Sequence, residues 1–218
     1  MKNTKLVKRE PSTQIISNYP KQRYVGDLTD IPYDRKNSVY KYIFKVIDHF
    51  SKLAESYLLK DKTSKSIITS LNTFIEFYGK FNEFSSDNGR EFVNSSIESY
   101  GGLNNIHLIW SWPYNPKSLG VVERIRSTIR KALLCKFIEN PSNFNLEIAL
   151  NKVMNTYNNL VHKSTKKTQN EVFYSISQTL YDEVKSNCIK NFSFLKNLRY
   201  NFKENENCLL KNNILIIK

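Results

Sequence analysis

Three strand-like runs crowded into residues 23–60 constrain this chain more than any other feature. RYVGDLTDIPYD (23–34) opens as a short strand that ends near Asp27, ahead of a turn around Pro32. VYKYIFKVID (39–48) is dense in β-branched and aromatic residues and reads as a central strand. LAESYLLK (53–60) follows closely enough to pair with it antiparallel. Connections this short favour a meander, because a parallel crossover needs a dozen residues or more.

Beyond residue 60 the apolar period changes. SKSIITSLNTFIEFYG (64–79) sets Ile67, Leu71, Phe74, Ile75 and Tyr78 on one helical face, with Ser64 as N-cap and Gly79 as the stop. A fourth strand then leads to Asp87, and a short helix covers 94–100 before a Gly101-Gly102 break. IHLIWSW (106–112) supplies a fifth strand, followed by a long helix. A further helix over 144–161 carries Leu146, Leu150, Val153, Tyr157 and Leu160 at core spacing, and a shorter one lies within 168–177. This order predicts an α/β layered domain, a mixed five-stranded sheet with helices packed on it. The organisation expected is a basic arm at 1–21, a core at 22–178 and an extension at 179–218. The apolar run LLKNNILIIK at the end either adds an edge strand or belongs to a further domain.

The formal net charge of +13 points to a polyanionic partner, although the abundance of Asn and Ile shows that base composition contributes to it. Cys135, Cys188 and Cys208 are few and far apart, which argues against a disulfide framework or a CxxC zinc site and for a reducing compartment. His49, His107 and His162 have no metal-ligand spacing. No apolar run is long enough to cross a membrane, and no apolar signal region opens the chain.

The chemistry gathers in SSDNGREF (85–92) and WSWPYNPKSLGVVERIRSTIRKALL (110–134). Asp87 ends the fourth strand, and Glu123 lies 36 residues on, inside an amphipathic helix. On that helix Arg126, Ser127 and Arg130 fall within about 60° of Glu123, while Val122, Ile125, Ile129, Ala132 and Leu133 take the far side. Singly, such a glutamate is an ordinary surface residue and DNG an ordinary turn. A third acid from the meander would complete a set of hard oxygen ligands for Mg²⁺ or Mn²⁺, able to activate a nucleophile on a phosphodiester. Residue pattern alone leaves Asp27, Asp30 and Asp48 equal for that place.

VGDLTDIP, YIFKVIDHFSKLAESYLL, SSDNGREF and PYNPKSLGVVERIRSTIRKAL together resemble the catalytic core of retroviral-like integrases, above all those of long-terminal-repeat retrotransposons and related DNA transposons. The resemblance runs from about residue 22 to 175. It implies a ribonuclease-H-like fold with helices on both faces of the sheet. It also implies Asp27, Asp87 and Glu123 as catalytic metal ligands, with Asp48 matching an acid that is not a ligand. Tyr114, Asn115, Lys117 and Ser118 would lie on a loop close to DNA. Arg124, Arg126, Arg130 and Lys131 are candidates for phosphate contact.

Lys117 and Arg126 stand where many relatives carry Gln and Asn, and Thr168-Gln169 where many carry Thr-Pro. No His₂Cys₂ pattern precedes residue 22. The expectation is therefore an integrase core that trims element DNA ends and joins them to target DNA, as a dimer or higher homo-oligomer, in the nucleus if the source is eukaryotic. A DNA-binding protein without turnover, or a simple nuclease of the same fold, is the rival.

Overall fold

The computed structural model describes residues 17–31, 38–110, 116–204, 208–211 and 214–217, with side chains over 17–31, 38–110 and 123–191. Two compact units emerge, 1–157 and 158–218.

The first unit is built on five strands: β1 (Arg23–Asp30), β2 (Tyr42–Asp48), β3 (Ala54–Leu59), β4 (Glu83–Ser86) and β5 (His107–Trp110), in the spatial order β3-β2-β1-β4-β5. The predicted meander is β1-β2-β3, antiparallel throughout. β4 then pairs parallel with β1, and β5 parallel with β4. The sheet thus changes from antiparallel to parallel at β1.

Alternation along the strands divides the core into two layers. Tyr24, Phe44 and Phe84 point to one face, where Phe74 and Phe81 pack edge-on to Tyr24 and Phe92 packs against Phe44 and Phe84. Phe74 belongs to α1 (Ser64–Tyr78), and α2 (Ser95–Asn104) brings the buried Ile97 and Tyr100. Val25, Ile43, Ile47 and Ala54 point to the other face and form one cluster with Ile125, Ile129, Leu133, Leu146, Leu150, Val153 and Tyr157. Those last seven come from α3 (Pro116–Glu139) and α4 (Leu146–Asn159), which a short 3₁₀ turn at Pro141–Asn143 connects. Each buried Ile, Leu or Phe contributes about 1.5–3 kcal/mol relative to exposure, so both helix layers are held chiefly by packing.

Several expectations are corrected. β1 does not end near Asp27: pairing with β2 continues to Asp30 opposite Tyr42, which places Asp27 inside the strand. Thr63 caps α1 instead of Ser64, because its hydroxyl accepts from Ser66 N at 3.3 Å; Gly79 does end the helix, at φ +84°. Gly101-Gly102 does not break α2, which runs on to Asn104 and stops at the left-handed Asn105. Gly101 is instead a packing position, since a Cβ there would come within 2.8 Å of Leu108 Cδ1. Leu160 is exposed because α4 ends at Asn159, where helical periodicity stops placing residues on the core.

In the second unit, Thr168 caps α5 (Gln169–Tyr174), and Glu171 closes a capping box back to the Thr168 N–H. The Thr168-Gln169 pair therefore still starts a helix, although it lacks a proline at the first helical position. The long α6 (Gln178–Glu204) follows, then β6 (Cys208–Lys211) and β7 (Ile214–Ile217). Among the described residues these two strands pair antiparallel with each other as a two-stranded sheet.

Candidate functional site

Asp27 shares the α3–α4 face of β1 with Val25, two residues before it. Directly across the antiparallel ladder stands Lys45, whose Nζ lies 2.8 Å from Asp27 Oδ2 and donates to Thr29 Oγ1 at 2.6 Å. The lysine side chain is 2% exposed. Burial lowers its pKa, the Asp27 charge and hydrogen bond pull it back up, and Arg126 lowers it further. Asp27 Oδ2 is buried and receives no hydrogen bond of good direction, so it is charge-matched by Lys45 without being geometrically satisfied.

The second acid follows directly on β4. The parallel register pairs Val25 with Ser85 and β4 ends at Ser86, so Asp87 is the first residue past the strand that neighbours β1. Asp87 is exposed, and its Oδ1 accepts from Gly89 N at 3.2 Å in a tight turn. Gly26 makes the approach of β4 possible, because a Cβ there would stand 2.3 Å from Phe84 Cζ.

The third acid rides on α3. Ile125, Ile129 and Leu133 anchor the inner face of this helix, and Arg126 Nη1 lies 4.0 Å from Asp27 Oδ1. Glu123, one turn earlier, is exposed. Arg124, Arg130 and Lys131 are also exposed, giving the outer surface of α3 a basic character. Lys117 and Ser118 fall in the first turn of α3, where only the backbone is described, and Tyr114 and Asn115 lie outside the described residues.

The other two meander acids have different surroundings. Asp30 is exposed at the end of β1. Asp48 is fully buried: Oδ1 accepts from Ser51 N at 2.6 Å and Ser51 Oγ at 2.7 Å, and Oδ2 accepts from Lys21 N at 2.7 Å. Burial raises its pKa, opposed by these hydrogen bonds and by Lys52. Both oxygens of Asp48 are thus engaged by donors from Ser51 and Lys21, which suits it to holding structure more than to binding a ligand.

Among the described residues, no group of three or more His, Cys, Asp or Glu side chains is drawn together tightly enough to hold a metal ion. The donor chemistry nonetheless fits a hard divalent cation: Asp27, whose Oδ2 receives no hydrogen bond, and Asp87 both offer carboxylate oxygens, and Glu123 is a turn away from the guanidinium that reaches Asp27. Lys45 is the participant that pattern reading missed. Its signal was a lysine at an inward position of YIFKVID, a place where a strand buried on both faces should be apolar.

Residues 17–116 match the model of the integrase core domain. Over 150 residues the chain is 27% identical to the Tf2-3 transposon polyprotein of Schizosaccharomyces pombe, covering 66% of this chain and 11% of the polyprotein. The Tf2-4 polyprotein of the same organism matches to the same extent. The chain therefore spans 11% of the length of these curated relatives.

Among solved structures, a chain of the simian T-cell lymphotropic virus intasome, in complex with PP2A regulatory subunit B56 gamma, matches with a TM-score of 0.71 and 27% identity. That match covers 79% of this chain and 61% of the other. The HTLV-2 integrase catalytic core domain in complex with magnesium gives a TM-score of 0.61 and 25% identity, covering 72% and 98%. Sheet order and these likenesses define the class: the fold is ribonuclease-H-like and similar to that of retroviral integrase cores, and residues 17–116 match the integrase core domain. The curated relatives it resembles are transposon polyproteins.

Proposed function

We propose that this chain is a metal-dependent polynucleotidyl transferase acting on DNA phosphodiesters, first trimming element ends at the 3′ side and then joining them to target DNA. One observation supports the reading: Asp27 lies on β1, the parallel neighbour of the strand that Asp87 follows, and Arg126 of α3, one turn after Glu123, reaches it. Asp27, Asp87 and Glu123 would hold Mg²⁺ or Mn²⁺, which in a two-ion arrangement activates the attacking water or hydroxyl and stabilises the leaving oxygen.

The chain's own part is placement and charge. β1 holds Asp27 at a fixed position in a strand interior. Arg126 and Arg130 offer guanidinium groups on the same side of α3 as Glu123, suited to phosphate oxygens, and make DNA binding strongly dependent on salt. Assembly as a dimer or higher oligomer, and action in a nucleus, belong to the same proposal.

The test is a labelled DNA duplex incubated with Mn²⁺ and either wild type or Glu123→Gln. Glu123 is exposed, so the variant keeps the fold. Cut and joined products from wild type alone support the transferase, and cutting without joining points to a nuclease. A DNA-binding protein without turnover is the second reading, favoured by the lysine already seated on Asp27. Equal DNA binding by both proteins with no products from either would establish it.

A further inference from the structure

Lys45 has no packing reason to be a lysine. On the same face of β2 its neighbours Ile43 and Ile47 are buried and apolar, and both belong to the core that α3 and α4 cover. An aliphatic residue at 45 would extend that layer without carrying a charge out of water. Instead an ammonium is held from two sides, by Asp27 across the ladder and by the Thr29 hydroxyl. Arg126 Nη1 stands 4.0 Å from the other oxygen of Asp27. The carboxylate is thus matched by protein cations before any metal arrives, and a divalent ion on it meets positive charge at ion-pair distance where water screens little.

We propose that Lys45 is a resident counter-cation that sets the divalent-ion threshold of the acidic centre, an inference that rests on the three-acid reading above. In the metal-free protein the ammonium is the counter-charge that holds the Asp27 carboxylate on β1. The same charge weakens the first divalent ion's hold, so the centre fills only at higher metal concentration than three carboxylates alone would need. A purely structural ion pair has no such effect: removing its charge would leave metal affinity unchanged.

Calorimetric titration of Mn²⁺ into the full chain decides between these, with thermal melts as a second readout and no need for DNA or turnover. Lys45→Gln is the informative variant, because its amide can still donate to Asp27 and Thr29 while carrying no charge. Lys45→Met serves as the neutral companion of similar shape. The expected result is Mn²⁺ binding tighter by on the order of tenfold or more in Lys45→Gln than in wild type, with a larger Mn²⁺-induced rise in Tm.

Unchanged or weaker Mn²⁺ binding by a natively folded Lys45→Gln overturns the proposal. So does a Lys45→Gln protein that stays unfolded at saturating Mn²⁺, since the lysine is then simply required by the fold. Asp27→Asn, Asp87→Asn and Glu123→Gln separate the two levels of inference. If all three bind Mn²⁺ as wild type does, the three-acid reading falls and the lysine proposal with it. If they lose binding while Lys45→Gln gains none, only the lysine proposal fails.

Discussion

Asp27 and Asp48 are both buried acids of the same strand pair, yet their neighbourhoods are built on opposite plans. Asp48 is surrounded by donors from the backbone and from Ser51, all of them short and local to the turn after β2 or to Lys21. Asp27 has a single lysine, at 2.8 Å, and an oxygen without a well-directed donor. An acid hydrogen-bonded at both oxygens holds structure together, whereas one matched only by charge can exchange its partner. The two cost the fold differently as well: neutral hydrogen-bond donors become orphans when Asp48 is lost, and a buried ammonium becomes orphaned when Asp27 is lost.

The largest effect expected is on chemistry. Asp27→Asn should lower Mn²⁺-dependent DNA processing by on the order of a hundredfold or more, through loss of a metal ligand. It should also lower Tm, because Lys45 then has no counter-charge. Adding Lys45→Met should restore much of the Tm and none of the activity, a coupling that a double-mutant cycle by calorimetry measures. Recovery of activity in the double variant would break the contrast with Asp48 at its root.

Asp48→Ala should destabilise by about 3 kcal/mol in denaturant unfolding, since the Ser51 N–H, the Ser51 hydroxyl and the Lys21 N–H all lose their acceptor inside the protein. Three neutral donors are orphaned together, so deleting the nearby Lys52 charge should not rescue this loss. A variant as stable as wild type would show that water replaces the carboxylate there, and the distinction between the two acids would narrow.

Gly26→Ala probes how β1 supports its acid. The added Cβ would stand 2.3 Å from Phe84 Cζ, so the phenyl ring must shift, at about 1–3 kcal/mol of overpacking strain. Since Asp87 follows directly on β4, the shift should weaken Mn²⁺ binding as well as stability. Stability loss with unaltered binding would mean that the two strands hold their acids independently.

The smallest effect expected is in pH dependence, at the Asp48 end of the pair. Burial, then the charges of Lys52 and Arg23, hold the His49 pKa well below 6.5 in the folded protein. Protonation therefore favours the unfolded chain. The contribution of His49 is full above about pH 6.5 and is lost as pH falls from there toward its folded-state value. Asp48 acts with opposite sign, because burial raises its pKa and the folded state binds its proton more tightly. Melting profiles between pH 7.5 and 5 (roughly the window where histidines titrate) should fall less steeply for His49→Gln than for wild type. Equal slopes would locate the acid sensitivity elsewhere.

Much of this architecture was legible in the residues. The run of strands over 23–60 and the change of period at 64 gave the meander and α1 because each pattern is local. The parallel partnership of β1 with β4 is not local, and it makes the strand that Asp87 follows the neighbour of the strand that holds Asp27. No spacing rule separates Asp27 from Asp30 or Asp48; only their surroundings do, through one ion pair, one solvent-facing position and one closed hydrogen-bond set. The two glycines in α2 read as a break because glycine weakens helices, but contact with Leu108 outweighs that weakness. Lys45 stood in plain sight within an apolar strand, and its meaning depended on a register that sequence does not print.

β1 outlasts β4. It runs to Asp30 against β2, while its other neighbour ends at Ser86, so among the described residues β1 continues past that neighbour from beside Asp27 onward. A residue at such a step belongs to two worlds at once. Its backbone is clamped by a continuing ladder on one edge, and its other edge opens onto the crevice that forms past the carboxyl ends of parallel strands. A ligand placed there enjoys the positional certainty of a strand interior and the accessibility of a loop, without the entropy that ordering a loop would demand.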